Sequence, residues 1–400
     1  MFLKLPFTRI ANPACISMIA ASASLLAWLV PSFGVLRKGF DKPETFGIGP
    51  IIILTSWYAL IFISFFLGQK LGKTTARLSR WRVDYPPLNS DGAYWLFTAL
   101  TAIGTSLMVI KIFQVLSPAV ALLYLTVGQA NMLGEALHEN YSIGLVSLRY
   151  LVVYSASLSL ASVITRKKVT FLNGLNFLML LMIMTARLIL ISTILMTIFQ
   201  LNFNKKSVRV NVVRVFAILL TVFSLLAIVN YSRNVNYYSD RGFSFYGAAF
   251  SEMVAYLGAP VQVQIGMTKV LDELVHVDDF GYRPYVDVEE ALNANSAFVF
   301  LHEQLGFAAW AYIFFMCGFM GFVFSLMSSF GKTAFLLPCG AILYASSELW
   351  RLNMFSQGIF ITWFVCGLAV PLFLILTRKI RRLLAKLYPV TGSLAGMPNA

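Results

Sequence analysis

The side chains able to do chemistry gather in one stretch, residues 230–294. It holds nine carboxylates, including Asp240, Glu252 and the run from Asp272 to Asp279, and four bases, Arg233, Arg241, Lys269 and Arg283. Seven tyrosines and four phenylalanines lie among them. A guanidinium fork pairs with two oxygens of a phosphate at once. A tyrosine offers a sugar ring an apolar face and a polar tip. These residues could therefore hold a phosphorylated lipid that carries sugar. The plainer alternative is that loop arginines pair with loop acids and that tyrosines collect at membrane interfaces. Two further arginines, Arg187 and Arg149, fall within or at the edge of apolar runs. Arginine costs roughly 2.5–3.5 kcal/mol at a bilayer centre, so such a position tends to have a purpose. The three histidines, His138, His276 and His302, have no close metal-ligand spacing. His302 and Glu303 are adjacent, and adjacent residues on a helix do not face each other. The chain has no nucleophile elbow, phosphate loop or H-E-x-x-H motif, so neither ATP coupling nor a bound metal or cofactor is expected.

The elements that must position these residues are membrane spans. Of 400 residues, 58% are hydrophobic and 12% charged; a soluble chain is about a quarter charged. Roughly 20 apolar residues cross a bilayer as a helix. Runs of that kind occur at about 10–30, 48–68, 93–116, 143–164, 172–186, 188–203, 210–229, 306–329, 333–347 and 357–377. The expected fold is all-α, a single polytopic membrane domain over 1–400 with about ten spans. The runs are continuous and do not alternate, which excludes a β-barrel. Phe171 to Phe203 is apolar except near its middle at Arg187, and basic clusters flank both ends. A single straight helix there would be about 50 Å long, too long for a bilayer, so a hairpin tipped by Arg187 is expected. The more polar segment 118–142 reads as a re-entrant or interfacial helix. Within 230–294, the mixed helical spacing of Met253, Leu257, Val261 and Ile265 predicts amphipathic helices lying on the membrane surface. The four cysteines, all within apolar runs, read as small packing residues.

Charge sets the sidedness. Twenty of the thirty-one lysines and arginines fall in alternate loops, beside both termini and after the even-numbered spans. Such loops remain cytoplasmic. Both termini are then inside, and 230–294 is one large loop outside. The net charge of +14 follows from these clusters and does not call for nucleic acid.

This layout resembles the bacterial oligosaccharide repeat-unit polymerases, the O-antigen polymerase (Wzy-type) group. The similar pieces are Thr185-Ala186-Arg187 at the hairpin tip, Tyr231-Ser232-Arg233-Asn234, Tyr256-Leu257-Gly258-Ala259-Pro260, and Asn295-Ser296-Ala297-Phe298 leading to Leu305-Gly306-Phe307. The resemblance implies a multi-pass protein of the bacterial inner membrane that polymerises undecaprenyl-diphosphate-linked repeat units into O-antigen or capsule-type polysaccharide at the periplasmic face. It needs no nucleotide sugar, and its partners are membrane lipid and a chain-length-regulating membrane protein. On this reading Arg187, Arg233, Arg241 and Arg283 stabilise the departing diphosphate. Glu252, Asp240 or His276 accepts the proton of the acceptor hydroxyl. The rival expectations are an O-antigen ligase, a lipid-oligosaccharide flippase or other transporter, and a structural partner without activity.

Overall fold

The computed structural model describes residues 2–5, 10–29, 47–78, 85, 87–88, 91–121, 144–183, 187–203, 208–211, 220, 224, 242, 244–269, 271, 286, 288 and 296–387. The described chain is overwhelmingly helical. In order it runs β1 (Phe2–Leu5), α1 (Pro13–Leu29), α2 (Ile48–Leu78), α3 (Asp91–Val115), a 3-10 turn (Leu145–Leu151), α4 (Val152–Arg166), α5 (Phe171–Ile183), α6 (Arg187–Asn202), β2 (Val208–Asn211), α7 (Phe245–Met267), α8 (Ala297–Leu305), α9 (Ala308–Ser328), α10 (Leu336–Glu348) and α11 (Gly358–Leu387).

Among the described residues, five helical segments are long and apolar enough to cross a membrane: Ile48–Leu78, Asp91–Val115, Leu145–Arg166, Ala308–Ser328 and Gly358–Leu384. Shorter apolar helices cover Pro13–Leu29, Phe171–Ile183 and Leu188–Asn202. The expected span 210–229 lies outside the described residues except at Val210 and Asn211, which end β2, and at Leu220 and Ser224. Large apolar side chains such as Ile51, Phe66, Phe315, Phe319, Phe373 and Leu376 stand exposed on the outer faces. An apolar exterior of this extent suits lipid and not water.

Without a hydrophobic drive between helices in lipid, small residues that allow backbones to touch become the means of association. The α2–α9 pair illustrates this. Gly68 and Gly72 face the α9 backbone at Gly318 and Phe322, and a Cβ at Gly321 would stand 2.6 Å from the carbonyl oxygen of Phe65. The segment 171–203, expected as a hairpin, holds two helices, α5 and α6, with Arg187 opening α6; residues 184–186 between them lie outside the described residues. Both helices lie chiefly against α4. Uncharged polar groups link this region: Tyr94, Thr98, Ser159, Asn173 and Asn176 form one hydrogen-bonded cluster, and Gln200 on α6 donates to Ser157 on α4 at 2.9 Å.

Two features depart from the sequence expectation. β1 and β2 pair antiparallel, with Lys4 opposite Arg209, adding a short ribbon to the helical fold. And α7 does not lie on the surface along its whole length: Tyr246, Phe250 and Tyr256 are exposed, but its C-terminal half is enclosed. Every residue from Gly258 to Met267 is buried. A Cβ at Gly258 would stand 2.9 Å from the Trp28 Cα, so α7 crosses α1 at backbone contact. Its two glutamines, Gln262 and Gln264, bond neighbouring helices. Trp28 Nε1 donates to Gln262 Oε1 at 2.7 Å, and Tyr58 OH donates to Gln264 Oε1 at 3.0 Å. The expected re-entrant segment 118–142 lies outside the described residues beyond Ala121.

Contacts between loops sort them into two ends. At one end β1 pairs with β2, and Leu88 N–H donates to Lys332 O at 3.1 Å. At the other, Ala297 N–H donates to Leu349 O at 3.4 Å, and Trp363 Nε1 donates to Tyr150 O at 2.7 Å.

Candidate functional site

At the end opposite the ribbon, charged side chains meet the buried helix α7. The turn after α10 reads Glu348-Leu349-Trp350-Arg351. Spacing of three on a helical turn brings two side chains together, and Arg351 Nε donates to Glu348 Oε2. Their side chains are only 22% and 10% exposed. The Arg351 guanidinium lies over the Tyr256 ring of α7, 4.9 Å from its centroid. Burial would weaken its hold on its proton, but Glu348, Tyr256 and Tyr344 outweigh burial and raise its pKa further above the ordinary arginine value. Gln264 fastens the turn from the other side, its Nε2 donating to Trp350 O at 2.9 Å.

Gln264 also faces a groove. An apolar groove of about 790 Å³ runs between α1, α2 and α7, lined by Leu25, Ile51, Leu54 and Phe62, with Tyr58 and Gln264 as polar points. Gln264 thus has one amide group on the charged turn while its side chain borders an apolar trough. Together they suit a molecule with a long apolar tail and an anionic head.

A second arginine sits at the same end. Arg149, in the 3-10 turn before α4, is 9% exposed. Its Nη2 donates to Tyr150 OH at 2.8 Å and its guanidinium carbon is 4.7 Å from that ring's centroid. Its Nε and Nη1 have no partner. A buried cation left in this state is costly unless an anion joins it. Its position is fixed by backbone contact: a Cβ at Gly104 on α3 would strike Arg149 and Leu148. Trp363 joins the two arginine regions, donating to Tyr150 O and meeting the Tyr344 ring edge-on at 6.0 Å. Tyr344 in turn lies within electrostatic range of Glu348 and Arg351.

His302 has a different part. Trp310 Nε1 donates to its Nε2 at 3.0 Å, which leaves Nδ1 to donate to Phe298 O at 2.7 Å. Both ring nitrogens are occupied, and Trp57 packs against the ring at 5.3 Å. Burial lowers its pKa below the ordinary value, partly offset by the Phe298 carbonyl. It is a neutral structural histidine joining α8 to α2 and α9. Among the described residues no group of three or more histidine, cysteine or acidic side chains could hold a metal.

The residues expected from sequence are placed as follows. Glu252 lies in α7, four residues before Tyr256, and Arg187 is the first residue of α6; their side chains lie outside the described residues. Asp240, His276, Arg233, Arg241 and Arg283 also lie outside them. The structure instead brings together Glu348, Arg351 and Tyr256, with Gln264 bonded to the same turn; Arg149 is linked to them only through Tyr150, Trp363 and Tyr344. Arg149 was legible as an arginine at a span edge. Glu348 and Arg351 were legible as two charges at helical spacing between apolar runs, but a turn of eight to ten residues gave no reason to single them out. No family model, no curated protein and no solved structure matches this chain.

Proposed function

We propose that this protein is a bacterial inner-membrane polymerase of undecaprenyl-diphosphate-linked oligosaccharides. In this reading it has about ten spans, cytoplasmic termini and a long extracytoplasmic loop, so that Arg149, Glu348 and Arg351 lie at the periplasmic end. The observation that carries it is the apolar groove bordered by Gln264, whose amide bonds the Glu348–Arg351 turn, with the Arg149 guanidinium, unpartnered at Nε and Nη1, at the same end. That arrangement supports a long lipid tail beside an anionic head.

The chemistry follows from those groups. The bond between the chain's reducing-end sugar carbon and the lipid diphosphate breaks, and its electron pair leaves with the diphosphate. The same carbon forms a new bond to a hydroxyl of the incoming unit, whose proton passes to a carboxylate. Preorganised guanidinium groups stabilise the charge growing on the diphosphate, often the largest catalytic contribution. Arg149 and Arg351 join Arg187, Arg233, Arg241 and Arg283 as proposed donors of that stabilisation. Glu348 joins Glu252, Asp240 and His276 as a proposed proton acceptor. The diphosphate is itself the activating group, so no cofactor is needed.

The test is deletion of the gene, with surface glycan resolved by electrophoresis. Single repeat units without a ladder of longer chains are the expected outcome. A normal ladder on the surface overturns the proposal. Full-length chains that accumulate on undecaprenyl diphosphate, without reaching the lipid A core, assign a ligase instead. Repeat units retained on the cytoplasmic leaflet assign a flippase.

A further inference from the structure

The opposite end of the bundle holds a second, smaller pocket of about 250 Å³, between the start of α1, the basic end of α2 and the ends of α6 and α9. One wall is aromatic: Phe199 packs edge-on against Phe203 at 5.5 Å and tilted against Phe324 at 6.3 Å. The other is polar, with Gln69 and Lys73 one helical turn apart on α2. Gln69 is 9% exposed, and its amide Nε2 has no hydrogen-bond partner. An amide donor buried without a partner costs about 1–3 kcal/mol, so an acceptor in this pocket would be well received. Lys73 adds a full positive charge beside it.

The surroundings favour a negative occupant. No carboxylate lines the pocket. The carbonyl end of α9 would repel an anion, but the Ser325 carbonyl there already accepts from the Ser328 hydroxyl at 3.1 Å and the Ser329 hydroxyl at 2.7 Å. The N-terminus of α1 enters through Asn12, whose side chain accepts from Cys15 N–H at 2.9 Å. Chain continuity places β1 and β2 just beyond pocket residues Ala11 and Phe203, and their register sets Lys4 opposite Arg209. Like charges opposite one another in a ladder are unfavourable by themselves.

We propose that this pocket binds a phosphate group, with Lys73 and the Gln69 amide as donors and the phenylalanine wall receiving the apolar part of its carrier. The site is separate from the groove and from Arg149, Glu348 and Arg351. A phosphate could come from an anionic phospholipid of the surrounding leaflet or from free phosphate.

The test uses the full-length protein purified in dodecyl maltoside, with thermal unfolding followed by tryptophan fluorescence. It is titrated separately with dihexanoyl-phosphatidylglycerol, dihexanoyl-phosphatidylcholine and inorganic phosphate. A saturable rise in Tm with phosphatidylglycerol alone assigns the lipid headgroup; a rise with inorganic phosphate assigns the free anion; both support phosphate binding. Lys73→Gln is expected to weaken the apparent affinity about tenfold, the loss of one charged hydrogen bond, and Gln69→Leu to weaken it as well. Lys73→Arg should retain binding. Lys70→Gln, which removes the same charge next to the pocket but not in it, should leave affinity unchanged. The proposal is overturned if no titrant raises Tm, if phosphatidylcholine acts as strongly as phosphatidylglycerol, or if Lys70→Gln and Lys73→Gln weaken binding equally.

Discussion

Arg149→Met should make the protein more stable and less active. Four contributions set the sign. The substitution removes the Arg149–Tyr150 hydrogen bond, about 1.5–3 kcal/mol for a charged donor. It also removes the cation–π contact at 4.7 Å, about 1–2 kcal/mol when partly desolvated. The Tyr150 hydroxyl is not stranded, because Tyr150 is only half-buried and water can replace the lost donor. Against these stands the cost of holding a guanidinium 9% exposed with no counter-ion, several kcal/mol per buried ion in real proteins. Methionine fills a similar channel with apolar atoms. Replacement of buried charged groups by packed apolar residues stabilises by about 1–4 kcal/mol. At about 2 °C per kcal/mol for a chain of this size, Tm should rise by roughly 2–8 °C. The assay is thermal unfolding of the purified variant beside ladder formation in cells that carry it as the only copy. A fall in Tm would refute the claim that Arg149 is an uncompensated buried charge. A rise in Tm with an unaltered ladder would keep the electrostatics and remove Arg149 from the site.

Arg351→Met has the opposite sign, because it strands Glu348 in a largely buried turn; a loss of about 2–3 kcal/mol is expected, and Glu348→Gln in the same chain should restore much of it. Additive losses in the double variant, read by Tm, would show that the two side chains do not interact. His302 contributes a pH dependence. Its folded pKa lies below its unfolded value near 6.5, so the unfolded chain binds the proton first and stability falls as pH drops below about 6.5. The fall in Tm from pH 7.5 to 5.5 should be smaller in His302→Gln; an equal fall would remove His302 as its source. Gly321→Val should prevent α2 from meeting α9, since a Cβ alone stands 2.6 Å from Phe65 O. Loss of monodisperse protein on size exclusion is the expected result, and a normal profile would contradict the close backbone approach.

Much of the scaffold was legible in the order of residues. Apolar length marked the segments that became α2, α3, α9 and α11, because a bilayer imposes one scale on all of them. Charge at both ends of Phe171–Phe203 required an even number of crossings, and α5 and α6 supply two helices with Arg187 at the second's start. What misled was the mixed spacing of Met253, Leu257, Val261 and Ile265, which reads as one apolar face, whereas the C-terminal half of α7 is enclosed on every side. Gln262 and Gln264 there are bonded to Trp28, Tyr58 and Trp350, from distant parts of the chain.

The site shows the same division. Sequence alone determined that the chain belongs in a membrane, that its basic loops form one set, and that Arg149 is a cation at a span edge. These are properties of composition and local order, which transfer free energy reads without knowledge of neighbours. Only tertiary structure decided that Arg149 has no counter-ion among the described residues and that Gln264 stands between an apolar groove and the Glu348–Arg351 pair. Gln264 bonds Tyr58 and Trp350, 206 and 86 residues away, and whether a buried polar atom is satisfied is a property of the packed fold and not of any segment within it.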